Sequence, residues 1–388
     1  MGGDGTGGGG VGGDFAVGGW GEGGTGTGTG TGGVGGGDLL SPAARRLCDA
    51  MTAGFPRPGD AKALRAAAVP GRPGPPVASV SDAVAAGVPV RIYDPAPGSG
   101  GRPLVVFLHG GGWVMCGLDT HDATCRSLAA ASGAVVVSAD YRLAPEHPWP
   151  AAPDDALAVL LWARARAHAL GCDPGRLVVA GDSSGGNLAA VTALRAPELL
   201  AGQLMFYPPL DASMDSASVD TYAEGYFHTA AHMAWYWDQY GGDPAHPHVS
   251  PLRAGDLSGL PPALIVLADC DVLRDEGLAY GRRLAAAGVD CTVQLHPGVF
   301  HGFLGLPLPA GAAALRAAAR WVAAQGVPAQ GVAGRPDPDR GDPDRGDPDR
   351  GDPDRGDADR VGPGRGDPDR VDPGLGDPDR GDPPVLRA

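Results

Sequence analysis

Short apolar runs bounded by polar or turn-forming residues recur through the middle of the chain, near 88–93, 104–108, 134–139, 176–181, 202–207, 263–268 and 291–296. Their length and richness in Val, Leu and Ile suit buried strands rather than helices. Between them lie stretches whose apolar positions follow helical spacing, at 151–169, 184–195, 275–287 and 309–324. Strands alternating with helices predict an α/β fold with a mostly parallel central sheet and helices on both faces. Two regions break the alternation. Residues 39–68, with Leu39-Leu40, Ala43-Ala44, Leu47 and Met51, read as one or two short amphipathic helices before a Pro/Gly-rich connector at 70–76. Residues 209–255 form a long excursion carrying Tyr222, Tyr226, Phe227, Met233, Trp235, Tyr236, Trp237 and Tyr240.

Composition changes the picture at the two ends. Residues 1–38 include 22 glycines, which offer almost no side chain to bury and lose much backbone entropy on ordering, so a disordered tail is expected. From Pro336 onward the unit Gly-Asp-Pro-Asp-Arg recurs, as at Gly341-Asp342-Pro343-Asp344-Arg345. A five-residue, proline-bearing period without apolar residues predicts a second solvated tail over 329–388. The folded domain is expected over 39–328.

The net charge of −15 is concentrated in these ends, which carry −4 over residues 1–38 and −7 over 336–388. No basic footprint remains for nucleic acid. The six cysteines show no Cys-x-x-Cys spacing and read as reduced thiols, and no stretch reaches the roughly twenty apolar residues of a membrane span. These features imply cytoplasmic residence. Lys62 is the only lysine and stands in no motif, which excludes a Walker phosphate loop, a Ser-x-x-Lys hydrolase and a pyridoxal Schiff base. His228 and His232 lie four apart, but no third ligand accompanies them, so neither metal nor cofactor is expected. Oligomeric state is not legible.

Candidate chemistry begins at Gly181-Asp182-Ser183-Ser184-Gly185, between an apolar run and a helix-like segment. Strand, sharp turn and helix would put Ser183 at the tip of the turn, with glycines on both sides relieving backbone crowding, as a nucleophile requires. Upstream, His109-Gly110-Gly111-Gly112-Trp113 follows another apolar run. The N–H groups of Gly110, Gly111 and Ser184 are expected to converge as an oxyanion hole. A serine hydroxyl needs a base and an acid that orients it. Asp271 and His301 follow strand-like runs, and carboxyl-end loops of a parallel sheet converge on one edge. Asp269 and Asp275 compete with Asp271, and His296 is the nearest rival to His301.

These blocks, with Asp140-Tyr141-Arg142-Leu143-Ala144-Pro145-Glu146-His147-Pro148, Asp271-Val272-Leu273-Arg274-Asp275-Glu276-Gly277 and His301-Gly302-Phe303, resemble the hormone-sensitive-lipase branch of α/β-hydrolases, the bacterial family IV esterases. The resemblance spans roughly residues 45 to 325. It selects Asp271 as the acid and implies carboxylic-ester hydrolysis through an acyl-serine intermediate, on esters of short to medium chain or acetylated small molecules. It also implies a helical cap built from about 39–70 and 209–255. Trp113, Tyr226 and Phe227 are then the candidate pocket residues, while Trp235 and Trp237 are expected to fill the core of the cap. A non-catalytic small-molecule receptor on the same scaffold is the alternative; receptors of this kind have lost the histidine that His301 supplies here.

Overall fold

A computed structural model describes residues 39–326 and 385–387 of the chain. The expected Gly-rich tail, and the repeat tail as far as residue 384, lie outside the described residues.

The strands are β1 (Ser79–Ala85), β2 (Val88–Asp94), β3 (Arg102–Leu108), β4 (Val135–Ala139), β5 (Cys172–Asp182), β6 (Gly202–Phe206), β7 (Ala263–Cys270), β8 (Cys291–Phe300) and β9 (Val385–Arg387). They form one sheet in the order β1-β2-β4-β3-β5-β6-β7-β8-β9. From β4 through β8 every neighbouring pair is parallel, and antiparallel pairs occur only at the two edges. All of β3, β4 and β6 is buried, because helices cover both faces. This is why these strands read as unbroken apolar runs rather than alternating ones. Helices α3 (Leu118–Ser132) and α9 (Pro309–Ala324) pack on each other, as do α4 (Ala151–Arg166) and α5 (Ser184–Arg195).

Three elements go beyond the sequence reading. Strand β1 is a largely exposed edge joined to β2 by the two-residue turn Ala86-Gly87, both at positive φ, the hairpin geometry that matches strand twist. Helix α3 begins where the Thr120 hydroxyl accepts from the Gly117 N–H at 3.0 Å and ends at left-handed Gly133. Strand β9 lies inside the stretch expected to be a solvated tail. There the repeat gives way to Val385-Leu386-Arg387, a segment of higher β-propensity that pairs antiparallel with β8.

The two segments expected to form a cap hold α1 (Pro42–Gly54) and α2 (Ala61–Ala67), and α6 (Ala217–Thr221) and α7 (Ala230–Tyr240) in the excursion. Arg45 donates to the Gly225 carbonyl at 2.8 Å, and the rings of Phe55 and Phe227 meet edge to face at 5.1 Å. Arg65 on α2 holds both Glu146 carboxylate oxygens, so Glu146 braces a loop. The Glu276 carboxylate, buried at the start of α8 (Arg274–Ala286), accepts from the N–H groups of Leu210 and Asp211 and anchors the root of the excursion.

Candidate active site

Ser183 stands between the last residue of β5 and the first of α5, with φ 49° and ψ −123°. The flanking glycines are required by contact. A Cβ on Gly181 would lie 2.2 Å from the Gly185 carbonyl oxygen, and one on Gly185 would lie 1.9 Å from that of Leu108. The Ser183 N–H donates to the Phe206 carbonyl at 2.8 Å, which pins the turn to the end of β6. Trp113, Cys116, Tyr207 and Phe227 also hold positive φ around this point. Strained backbone is therefore concentrated at one place, as at sites whose geometry the surrounding packing enforces.

Asp271 directly follows β7 and His301 directly follows β8, so both arrive at the carboxyl edge of the sheet beside Ser183. His301 Nε2 lies 2.9 Å from Ser183 Oγ, and His301 Nδ1 lies 2.8 Å from Asp271 Oδ2. The second carboxylate oxygen accepts from the Leu273 N–H at 3.0 Å. Asp271 and His301 are 2% and 3% exposed, a burial that strengthens this line of hydrogen bonds and excludes competing water. The rivals sit elsewhere. Asp269 pairs with Arg274, while Asp275 accepts from the Ser218 N–H and pairs with Arg274. His296 is buried in β8 against Phe303, and burial pushes its pKa down to about 4.

The glycine loop differs from the expectation at one residue. The Gly110 N–H points at Asp182 Oδ1, 3.0 Å away, and is occupied there. Asp182 in turn faces His121 Nε2 at 3.1 Å. Burial alone would raise the Asp182 pKa, but His121 and the Gly110 N–H outweigh it and hold the carboxyl below its ordinary value. Gly110 is thus a tether of the loop. The N–H groups of Gly111, Gly112 and Ser184 donate to no other described residue. Gly111 at φ 123° and Gly112 at φ 58° turn the chain as only glycine does freely, and a Cβ on Gly112 would enter the Tyr236 ring at 2.4 Å. His109 fixes the loop: its Nδ1–H donates to the Gly110 carbonyl, and its ring stacks on Tyr141 at 4.3 Å. Burial and the neighbouring His121 push its pKa down to about 3.

A cavity of about 150 Å³ opens over Ser183, walled by the glycine loop, Met115, Cys116, Phe227, His228 and His301. Of the candidate pocket residues only Phe227 lines it. Trp113 is fully buried away from it, stacked on Tyr240 at 4.2 Å and tilted against Trp237 at 4.4 Å, so it joins the cap to the glycine loop. Tyr226 meets Tyr222 edge to face under the Arg45 guanidinium and does not reach the cavity. Sequence reasoning gave no such role to His121, His228 or Cys116. His121 and Cys116 stand on α3 and the loop before it, with no motif to single them out. A larger surface cleft of about 440 Å³ between α2 and the start of α3 touches the cavity only at Cys116.

A parallel sheet with its serine on a strained strand-to-helix elbow, and with histidine and aspartate following the last strands, defines the class of α/β hydrolases. The chain belongs to the alpha/beta hydrolase fold family, whose model matches residues 105–305, in its hormone-sensitive-lipase-like branch. Carboxylic ester hydrolase LipN of Mycobacterium tuberculosis is 44% identical over 244 residues, which are 58% of this chain and 64% of that protein. The chain thus spans less than two thirds of LipN. Ethyl acetate hydrolase of Pseudomonas putida is 43% identical over 231 residues, 56% of this chain and 71% of that one. Among solved structures, the hyperthermophilic esterase of Pyrobaculum calidifontis superposes with a TM-score of 0.68 at 37% identity, over 73% of this chain and 98% of that chain.

Proposed function

We propose that the chain hydrolyses carboxylic esters of short to medium chain through an acyl-serine intermediate formed on Ser183. The observation that carries this is the unbroken line from Ser183 Oγ through His301 to Asp271, at 2.9 and 2.8 Å. Ser183 Oγ attacks the ester carbonyl as His301 Nε2 takes its proton. Asp271 accepts from His301 Nδ1–H, fixing the tautomer and stabilising the imidazolium that forms. The negative oxygen of the tetrahedral adduct is held by the N–H groups of Gly111, Gly112 and Ser184, in place of the Gly110 donor expected from sequence. His301 then returns the proton to the departing alcohol, and a water activated by the same imidazole releases the acid. The small cavity favours short acyl groups. A receptor on this scaffold has no use for an imidazole bonded to Ser183, so the catalytic reading is the better supported.

Treatment with a fluorophosphonate followed by intact-protein mass spectrometry tests the proposal. The wild type should gain one adduct and Ser183→Ala none, with turnover of p-nitrophenyl acetate falling by roughly 10⁴-fold or more in the variant. Full turnover by Ser183→Ala would remove the serine from the mechanism. We also propose that the enzyme acts in the cytoplasm, supported by six cysteines whose scattered spacing suits reduced thiols. Cell fractionation checks this.

A further inference from the structure

The cap places one polar group in the cavity that ester hydrolysis itself does not require. His228, just before α7, lines the cavity over Ser183, and its ring meets the His301 ring edge to face at 5.0 Å. Its other neighbours are the rings of Phe55, Phe227, Tyr236 and His232, at 5.6, 4.5, 5.9 and 5.9 Å. His228 Nδ1 is buried with no hydrogen-bond partner among the described residues. Nε2 is not among the buried orphan atoms and bonds to no described residue, which leaves it as the nitrogen that meets the cavity.

Burial, with the neighbouring His301 and His232, holds the His228 pKa well below its ordinary value, so the ring is neutral. A buried N–H without an acceptor is rarer and more costly than an unshared acceptor lone pair, so the proton belongs on Nε2 and Nδ1 keeps its lone pair. His228 therefore adds one N–H donor to the cavity wall, separate from the backbone N–H groups of the glycine loop. Its side of the site follows from the chemistry. The alcohol must leave within reach of His301 Nε2, which protonates it, so a group packed on the His301 ring meets the alcohol half of the ester. The acyl carbonyl lies toward the glycine loop.

We propose that His228 is a specificity residue for the alcohol half of the substrate, donating from Nε2 to an acceptor oxygen carried on that alcohol. The inference rests on the esterase reading above. Its substrate class is acyl esters of oxygenated alcohols, such as glycol ethers and polyols, in preference to esters of plain alkanols.

Two pairs of nearly isosteric esters test it. 2-Methoxyethyl acetate and butyl acetate differ in one alcohol-side oxygen; ethyl methoxyacetate and ethyl butyrate differ in one acyl-side oxygen. In His228→Leu, the kcat/KM ratio of 2-methoxyethyl acetate to butyl acetate should fall by about three- to tenfold relative to wild type, the worth of one neutral hydrogen bond, while the acyl-side ratio stays unchanged. His228→Asn, which keeps an N–H donor, should recover part of the loss. Fluorophosphonate labelling of Ser183 confirms that each variant is folded. Should neither variant fold, the wild type still decides, since 2-methoxyethyl acetate must be favoured after division by the two esters' hydroxide-catalysed rates. An unchanged alcohol-side ratio, an equal fall on both members of the pair, or a change confined to the acyl-side pair would overturn the assignment. Failure of the wild type to hydrolyse any of the four counts against the esterase reading instead.

Discussion

His296 and His301 are five residues apart at the same end of the sheet, and only one touches Ser183. His301 lies beyond the end of β8 and is hydrogen-bonded on both nitrogens, whereas His296 is inside the strand with Nε2 buried and unpartnered. Burial has opposite uses in the two cases. Around His301 it strengthens directed hydrogen bonds; around His296 it only disfavours the charged ring, whose pKa falls to about 4 from an ordinary 6.5. The folded state therefore does not bind the proton that the unfolded chain takes up below about 6.5. Stability should fall as pH drops from 6.5 toward 4, with His296 contributing on the order of 3 kcal/mol of the loss. His296→Leu should flatten the urea midpoint across that window, and an unchanged slope would show that other groups govern acid unfolding. Asp182 and Gly110 carry a related lesson. Three consecutive glycines look equivalent in sequence, yet the carboxylate beside the nucleophile occupies one N–H and so decides which remain to bind an oxyanion.

At the level of elements, the elbow was readable because its constraints are local. The positive φ of Ser183 and the 1.9 Å approach of a Gly185 Cβ to the Leu108 carbonyl leave little choice of residue. The obstacle is main chain of β3, which cannot rotate aside, so Gly185→Ala should either move the elbow or separate β3 from α5. We expect a loss of at least 2–3 kcal/mol in stability together with loss of fluorophosphonate labelling, measured by thermal melting and by mass. A variant with wild-type melting and labelling would show that the elbow has slack. The apolar strands were also readable, since burial on both faces writes itself as continuous runs. Edge strand β1 and helix α3 were harder to see. Strand β1 is mostly exposed and needs no apolar run, and α3 carries an unremarkable mixture in which His121 looks like a surface residue.

On the scale of the whole molecule, the site is closed by segments far apart in sequence. Phe55, after α1, packs on Phe227 and His228 of the excursion, and a His232 ring nitrogen lies 3.1 Å from the Pro56 carbonyl. Phe55 thus backs the Phe227 and His228 rings that wall the cavity over Ser183. Phe55→Ala should lower stability by roughly 2 kcal/mol, because the ring is only partly buried. It should also enlarge the cavity beside Phe227 and His228, raising the hydrolysis rate of hexyl acetate relative to ethyl acetate. A competition assay with the two acetates measures this, and an unchanged ratio would place the alcohol group elsewhere.

The sequence by itself determined the class of fold, the strand-to-helix elbow at Ser183 and the placement of Asp271 and His301 just past strand ends, because each depends on short-range rules: apolar runs of strand length, glycines where a Cβ cannot fit, and polar residues just past strand ends. Tertiary structure alone decided which N–H groups of the glycine loop remain free, that Trp113 fills the cap rather than the pocket, and that His228 stands over the His301 ring. Each of those outcomes depends on contacts between residues tens to hundreds of positions apart, and no periodicity along the chain records which side chain of an aromatic-rich segment turns toward the cavity.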